Sequence, residues 1–208
     1  MPRPRRPEDF LLLPYGGRAD DPPIRKGGFL AAVALVLREA GTGGSTPDGL
    51  ELLLIRRSAR QGDPWSGQMA LPGGRMEPAD DSLLATAIRE THEETRVDLR
   101  RKARLLGRLR QVAPRTRELP VLTVLPFVFE VEGSVCAEVA SLEVSEVVWA
   151  PVSRLLDPAA RSTHRHTTPG GKTLRFPAID VRGRTVWGMT HRILEDLLYR
   201  LGPQGRTD

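Results

Sequence analysis

The chain has a single cysteine, Cys136, aromatic residues at only 5%, and no apolar run approaching the ~18 residues of a membrane-spanning helix. One cysteine excludes an internal disulfide framework and fits a reducing compartment. Its neighbours Val135 and Ala137 suggest a strand edge, where a packed thiol is expected rather than a nucleophile. Scarce aromatics leave few stacking platforms for a single-stranded nucleic acid, and no nucleic-acid recognition motif is present. Met1–Pro7 is basic, but the apolar run behind it, Phe10–Leu13, stops at Pro14, short of the ~7–15 residues of a secretory signal core. The expectation is a cytoplasmic protein with no membrane partner.

What is present suits a folded domain: 39% hydrophobic and 27% charged residues in a chain of 208. Lys and Arg number 31 against 26 Asp and Glu, and the formal charge of +5 favours anionic partners without choosing among them. Residues 1–28, rich in Pro, Arg, Gly and Asp, read as an arm or irregular lead-in, 29–202 as the domain and 203–208 as a tail. Phe29–Leu37 is a nearly continuous apolar run, expected as a buried strand. Leu50–Arg56 is a second strand, joined to it as a hairpin across the turn-rich stretch 41–49. Leu105–Gln111, Val121–Val131, Glu146–Ala150 and Thr185–Gly188 read as further strands, and Val152–Leu156 as a short helix. Met189–Leu201 is amphipathic, with Ile193, Leu194, Leu197, Leu198 and Leu201 as its buried stripe. This order predicts a sheet covered by helices. Residues 58–80 hold Gly or Pro at 62, 64, 67, 72, 73, 74 and 78 and no apolar period, a long loop of the kind that carries function.

Asp81 or Ser82 can cap a helix running to about Thr95, with Leu84, Ala87, Ile88, Thr91 and Thr95 on one face. It carries Arg89-Glu90-Thr91-His92-Glu93-Glu94. At ~100° per residue the three glutamates fall within about a 100° arc. Each i,i+3 or i,i+4 pair there repels by ~0.2–0.5 kcal/mol, and the C-terminal half of the helix dipole disfavours anions. Arg89 can relieve Glu93 one turn on, but one cation does not neutralise three anions. A solvated acidic face is one resolution; a hard divalent ion such as Mg²⁺, held by a few carboxylates together with substrate phosphates, is the other. Leu71-Pro72-Gly73-Gly74, ahead of the helix, permits a sharp turn and close approach to a ligand, offering a carbonyl to a metal or amides to phosphate.

Set end to end, these residues read Gly74-x5-Asp80-x8-Arg89-Glu90-x2-Glu93-Glu94-x-Arg96-Val97. This closely resembles the Nudix box, G-x5-E-x7-R-E-U-x-E-E-x-G-U with U aliphatic. Asp80 stands for the first Glu, one residue is inserted before Arg89, Thr91 replaces an aliphatic, and Arg96 replaces the final Gly, which normally supplies a C-terminal turn. The resemblance implies a Nudix-type α/β/α sandwich with a mixed sheet and a catalytic strand-loop-helix, and a hydrolase that cleaves a diphosphate with Mg²⁺ or Mn²⁺. Carried over residue by residue, it makes Glu90, Glu93 and Glu94 metal-ligand and general-base candidates, gives Gly73 a carbonyl toward the metal, and has Arg89 hold the carboxylates in place. Glu77, Asp80 and Glu146 are further acids that could assist.

The preceding stretch, Leu53-Leu54-Ile55-Arg56-Arg57-Ser58-Ala59-x7-Gly67-x3-Leu71-Pro72-Gly73-Gly74, resembles the upstream motif of the coenzyme A pyrophosphatase branch, L-L-T-x-R-S-A-x3-R-x3-G-x3-F-P-G-G. Ile55, Leu71 and Asp63 depart from it, and Asp63 reverses the charge of an Arg. The insertion in the box, Val121–Val128 and Trp187-Gly188-Met189-Thr190 also look like that branch. Coenzyme A, split to 3′,5′-ADP and 4′-phosphopantetheine, is therefore placed ahead of ADP-ribose-like, dinucleotide polyphosphate and nucleoside triphosphate substrates. Arg56, Arg57, Gly67 and Gly74 are the substrate-binding candidates. The expected partner is a small nucleotide diphosphate, not a nucleic acid, and a homodimer is allowed. Two basic segments stand out. Arg100, Arg101, Lys102, Arg104, Arg108, Arg110, Arg115 and Arg117 could wall a nucleotide site, and His164, Arg165, His166 and Lys172 form a second cationic loop whose His pair is poor evidence for zinc. The rival readings are an RNA-binding protein built on the basic run, which the few aromatics disfavour, and a catalytically silent Nudix module, which the three retained glutamates disfavour.

Overall fold

Alternation along the central strands divides their side chains between two cores. In β1 (Phe29–Glu39), Leu30, Ala32, Ala34 and Val36 face one side while Ala31, Leu35 and Leu37 face the other. β6 (Leu122–Val131) does the same, with Leu125, Phe127 and Phe129 against Leu122, Val124 and Val128. Strands covered on both faces must be apolar at every position, hence the continuous runs. The computed structural model describes residues 12–40, 49–62, 65–114, 121–168 and 171–201.

β1 runs parallel to β6, from Phe29↔Leu122 to Arg38↔Val131, and antiparallel to β2 (Leu50–Arg57) and β4 (Gly73–Arg75). β5 (Ala103–Arg108) lines β6, while β3 (Met69–Ala70) and β7 (Val144–Pro151) line β2, completing a mixed seven-stranded sheet. α1 (Leu83–Thr95) and the single turn α2 (Leu99–Lys102) cover one face through Leu83, Ala87 and Leu99. α3 (Val152–Leu156) and α4 (Gly188–Leu201) cover the other through Leu155, Ile193, Leu194 and Leu197. This is the expected α/β/α arrangement. A second, antiparallel sheet of β8 (Arg161–Thr167), β9 (Thr173–Val181) and β10 (Arg184–Trp187) joins the latter core through Ile179, Val181 and Val186.

Several expectations need correction. Arg161–Thr167 and Thr173–Val181 are paired antiparallel strands, not a cationic loop; β8 has no aliphatic residue and its outer positions are solvated, so no apolar period marked it. The loop 58–80 contains the short strands β3 and β4. β5 runs from Ala103 to Arg108, earlier than expected at both ends; ahead of it Asp98 caps α2, accepting from the amides of Arg100 (3.1 Å) and Arg101 (3.2 Å), and the strand follows directly. β7 extends the expected strand at both ends, and Gly188 opens α4 rather than closing β10. Cys136 is exposed in the loop after β6, not packed on a strand edge. The lead-in is fastened over residues 12–28: Leu13 bridges Arg108, and the Tyr15 ring meets Phe127 edge-on at 4.8 Å. Asp63, Arg115, Arg117, the hairpin tip 41–48 and the tail 203–208 lie outside the described residues. Among the described residues no helix is long and apolar enough to cross a membrane.

Candidate active site

Ser82 begins the helix that carries the acids, its Oγ accepting from the Ala85 amide at 3.2 Å. Asp21, from the lead-in, accepts from the Leu83 amide at 3.1 Å, so a second side chain closes the same turn. Thr91, in place of an aliphatic, is fully buried, and its hydroxyl is satisfied by the Ala87 carbonyl at 2.7 Å. The helix lies tight against the Gly73–Gly74 turn. A Cβ at Gly73, whose φ is 149°, would strike the Ala32 carbonyl, and one at Gly74 would strike the Glu90 carboxylate. Glycine at both positions is what lets backbone and carboxylates meet.

Arg89 organises one side of this contact. Its Nε and Nη2 each donate at 3.0 Å to the two oxygens of Asp80. Nη2 also donates to the Arg75 carbonyl at 3.1 Å, and Nη1 reaches Glu90 Oε1 and Glu93 Oε2, each at 3.0 Å. Asp80 further accepts from the Glu77 amide and the Thr86 hydroxyl, both at 2.9 Å. Burial works to raise the Asp80 pKa, but the Arg89 fork and these donors outweigh it and hold the carboxyl below its usual range. The shorter acid at this position of the box therefore still engages its arginine.

Glu90 and Glu94 have different surroundings. Glu94 is buried, and its Oε2 accepts from the Gly73 amide at 2.9 Å. Burial pushes its pKa up to about 8; the Gly73 amide opposes this, and the charge of Glu90 adds to it. Burial also raises Glu90, against the pull of Arg89. Both lie beside a cleft of about 530 Å³ over β1, β3 and β4, lined by Gly73, Gly74, Glu90, Arg57 and Arg75 on its polar side and by Phe29, Trp65, Met69, Leu71 and Met189 on its apolar side. Such a volume, an apolar wall and a few convergent charges are usual in small-molecule sites. Among the described residues no three acidic, His or Cys side chains converge as a finished cage: Glu90 and Glu93 turn onto Arg89, Glu94 onto Gly73. The donor set nonetheless fits a hard divalent ion, since desolvated carboxylates with too little positive charge beside them are what such an ion neutralises.

The cleft gathers some of the expected residues and not others. Glu90, Gly73, Gly74 and Arg57 line it, with Glu94 against Gly73. Glu93 does not line it; its side chain is about half exposed, at 53%, and paired to Arg89. Arg56 and Gly67 line a second cavity instead, because successive β2 residues point to opposite faces. Glu146 does not join the acids; Arg184 binds it through Nε at 3.0 Å and Nη2, and lowers its pKa. Glu77 is exposed, 3.8 Å from Arg89. The run from Arg100 to Arg110 lies on α2, β5 and the residues after it, at the sheet edge away from the cleft, with Arg104 paired to Glu130 and Arg110 3.9 Å from Asp196. Two residues of the cleft were missed. Arg75 extends from β4 with its guanidinium 3.8 Å above the Phe29 ring. Glu143 comes from a loop pinned to the end of α1, where Glu138 and Ala140 donate their amides to the carbonyls of Thr95 and Glu94. The charge of Glu143 raises the pKa of both Glu90 and Glu94, and Arg60 holds it at 2.8 Å. No motif spacing ties Glu143 to the box; the contact is purely tertiary.

A helix of this construction on a mixed α/β/α sheet defines a class, and residues 29–170 match the NUDIX domain model. The chain belongs to the Nudix hydrolase family, whose members generally use divalent metals. It is 31% identical to the human mitochondrial coenzyme A diphosphatase NUDT8 over 153 residues, 73% of this chain and 63% of that one. It is 39% identical to the uncharacterized Schizosaccharomyces pombe protein C14C4.10c over 114 residues, 53% of this chain and 35% of that one. The chain thus spans about a third of one relative and under two thirds of the other. A MutT/nudix family protein from Enterococcus faecalis has a similar fold, with a TM-score of 0.54, 17% identity, and coverage of 85% of this chain and 62% of that one.

Proposed function

We propose that this protein is a Mg²⁺-dependent pyrophosphohydrolase, with Mn²⁺ able to substitute, that cleaves the diphosphate of coenzyme A or its derivatives. The observation that carries the reading is the pair of desolvated carboxylates, Glu90 and Glu94, set against the Gly73–Gly74 turn at the edge of an open cleft. Glu90, Glu93 and Glu94, with the Gly73 carbonyl, are the ion's ligands in this proposal. When bound, the ion supplies positive charge to the diphosphate and makes water a better nucleophile near neutral pH. Arg89 keeps Glu90 and Glu93 oriented from a fixed anchor on Asp80. A carboxylate of the trio takes the proton as the water oxygen bonds to phosphorus and the bridging P–O bond breaks; the departing phosphate carries the bridging electrons. In this proposal Arg57 and Arg75, both in the cleft lining, meet the diphosphate oxygens.

Coenzyme A is favoured over nucleoside triphosphates on two grounds. The stretch 53–74 and the human relative point to that branch, and the apolar side chains of Phe29, Trp65 and Met189 in the cleft lining suit an uncharged arm. The test incubates the protein with Mg²⁺ or Mn²⁺ against coenzyme A, ADP-ribose, NADH, diadenosine polyphosphates and NTPs, recording product masses. Release of 3′,5′-ADP and 4′-phosphopantetheine is expected. Preference for another diphosphate moves the substrate assignment, and no cleavage of any compound defeats the reading.

A further inference from the structure

The second sheet presents a surface that neither core uses. His164 and Phe176 are cross-strand partners and so share a face, on which His166 and Trp187 also lie. The His164 ring stacks on Trp187 with centroids 4.2 Å apart and planes 25° from parallel; His166 and Phe176 lie 5.0 and 5.3 Å from the same indole. None of these four rings belongs to either hydrophobic cluster. In a chain only 5% aromatic, a gathering of rings outside the core needs an explanation. Trp187, His164 and His166 line a cavity of about 420 Å³ that Arg56, Gln68 and Arg184 also line, within the ~300–1,000 Å³ of small-molecule sites. Arg56 and Arg184 together face one carboxylate, Glu146, so the wall keeps a net positive charge. Burial, with the neighbouring His166, holds His164 below its usual pKa, and the ring stacked on Trp187 forms one shelf with it.

The cavity also borders the catalytic cleft. Gln68 and Met69 line both, and Arg56 and Arg57, consecutive on β2, face one each. We propose that this cavity binds a nucleotide, its base stacked on the Trp187–His164 shelf and its phosphate toward Arg56. Planar rings and guanidinium groups lining one cavity match the two parts of such a ligand. The base has two sources: the nucleoside end of a substrate whose diphosphate lies in the cleft, or a separate mononucleotide acting beside it.

Calorimetric titration of the full-length protein with AMP, adenosine and ribose 5-phosphate, without divalent ion, tests this separately from hydrolysis, so failure of either reading is distinguishable. AMP is expected to bind, adenosine more weakly, and ribose 5-phosphate weakest. Trp187→Leu and His164→Leu should each weaken AMP by roughly ten- to a hundred-fold, the size expected for loss of base stacking, while Trp187→Phe largely restores it. Arg56→Ala should weaken AMP and leave adenosine unchanged. In turnover assays, competitive inhibition by AMP assigns the shelf to the substrate's base, and non-competitive inhibition or activation assigns it to a separate nucleotide. Absent AMP binding, or AMP affinity unchanged in both Trp187→Leu and His164→Leu, each with a wild-type melting temperature, overturns the proposal. If Trp187→Leu fails to fold, His164→Leu alone decides.

Discussion

Arg89 links two carboxylate environments, Asp80 ahead of α1 and the glutamates along the helix. On one side Asp80 is 6% exposed yet receives four hydrogen-bond donors, two from the guanidinium and two from Glu77 and Thr86. On the other, Glu94 is 4% exposed and receives the Gly73 amide, with the charges of Glu90 and Glu143 raising its pKa further. Both acids expose little surface, and they are oppositely shifted. Burial raises both; at Asp80 the Arg89 fork and the further donors outweigh it, while at Glu94, set deeper, the single Gly73 amide does not. The Asp80 side has its partners as folded, whereas the Glu94 side is the one our proposal gives to a divalent ion.

The sharpest break of that contrast is Glu94→Gln, which keeps the shape and can still accept from Gly73 but removes the charge. Turnover should fall by about 10²–10⁴-fold, with the melting temperature retained or raised. Retained metal-dependent hydrolysis in both Glu94→Gln and Glu93→Gln would remove these residues from the site. On the closed side the largest effect is on stability. Arg89→Ala leaves Asp80 buried with its main partner gone. It should cost about 2–3 kcal/mol in denaturant unfolding, below the cost of stranding a fully buried charge because Arg89 is partly exposed. Glu93→Ala, by comparison, removes an exposed pair one turn along the helix and should cost no more than ~0.5 kcal/mol. Equal losses from the two would erase the distinction.

The raised pKa of Glu94 gives the contrast a pH dependence. Without divalent ion the folded protein holds a proton on Glu94 up to about pH 8, whereas the unfolded chain releases it near the ordinary carboxylate range. The folded state binds more protons between those limits, so this stabilisation is full below the ordinary range and is lost as pH rises through about 8. The loss should approach ~1.4 kcal/mol per pH unit inside the window. Thermal melts in chelator should show the decline, and Glu94→Gln should flatten it. Because a ligating carboxylate must be deprotonated, Mg²⁺ should raise the melting temperature more at pH 8 than at pH 6. A wild-type slope that Glu94→Gln leaves intact would place the titration elsewhere.

Much of this was legible in the chain because local rules governed it. The buried runs of β1 and β6, the Ser82 cap and the one-sided glutamates follow from period and propensity. So did the split between Arg56 and Arg57, had strand alternation been applied to neighbours that share one motif. The remainder depended on the path of the chain through space. Glu143 reaches the cleft because its loop caps the carbonyls of α1. The basic segment misses it because β5 lies at the opposite side of the sheet, beyond β1 and β6. β8 and β9 escaped notice because their outer positions face solvent and hold Arg, Thr and His, so pairing rather than composition makes them strands.

A small effect concerns the two ends of α1, which repeat the contrast in the backbone. The N-terminus is closed by Ser82 without strain, while the C-terminus turns through Arg96 at φ 60°, ψ 6°, with its amide on the His92 carbonyl at 2.9 Å. A left-handed conformation costs an L-residue roughly 1–2 kcal/mol, and the family's glycine would avoid it. Glycine also widens the unfolded ensemble, returning about 0.4–1 kcal/mol of that gain. Arg96→Gly should therefore stabilise the protein by about 0.5–1 kcal/mol in denaturant unfolding, with kcat unchanged because the exposed Arg96 side chain lies outside the cleft. A gain in stability with lower kcat would mean that the strained turn helps to aim Glu94, two residues before it. No gain at all would mean that contacts of the Arg96 side chain offset the strain of its backbone.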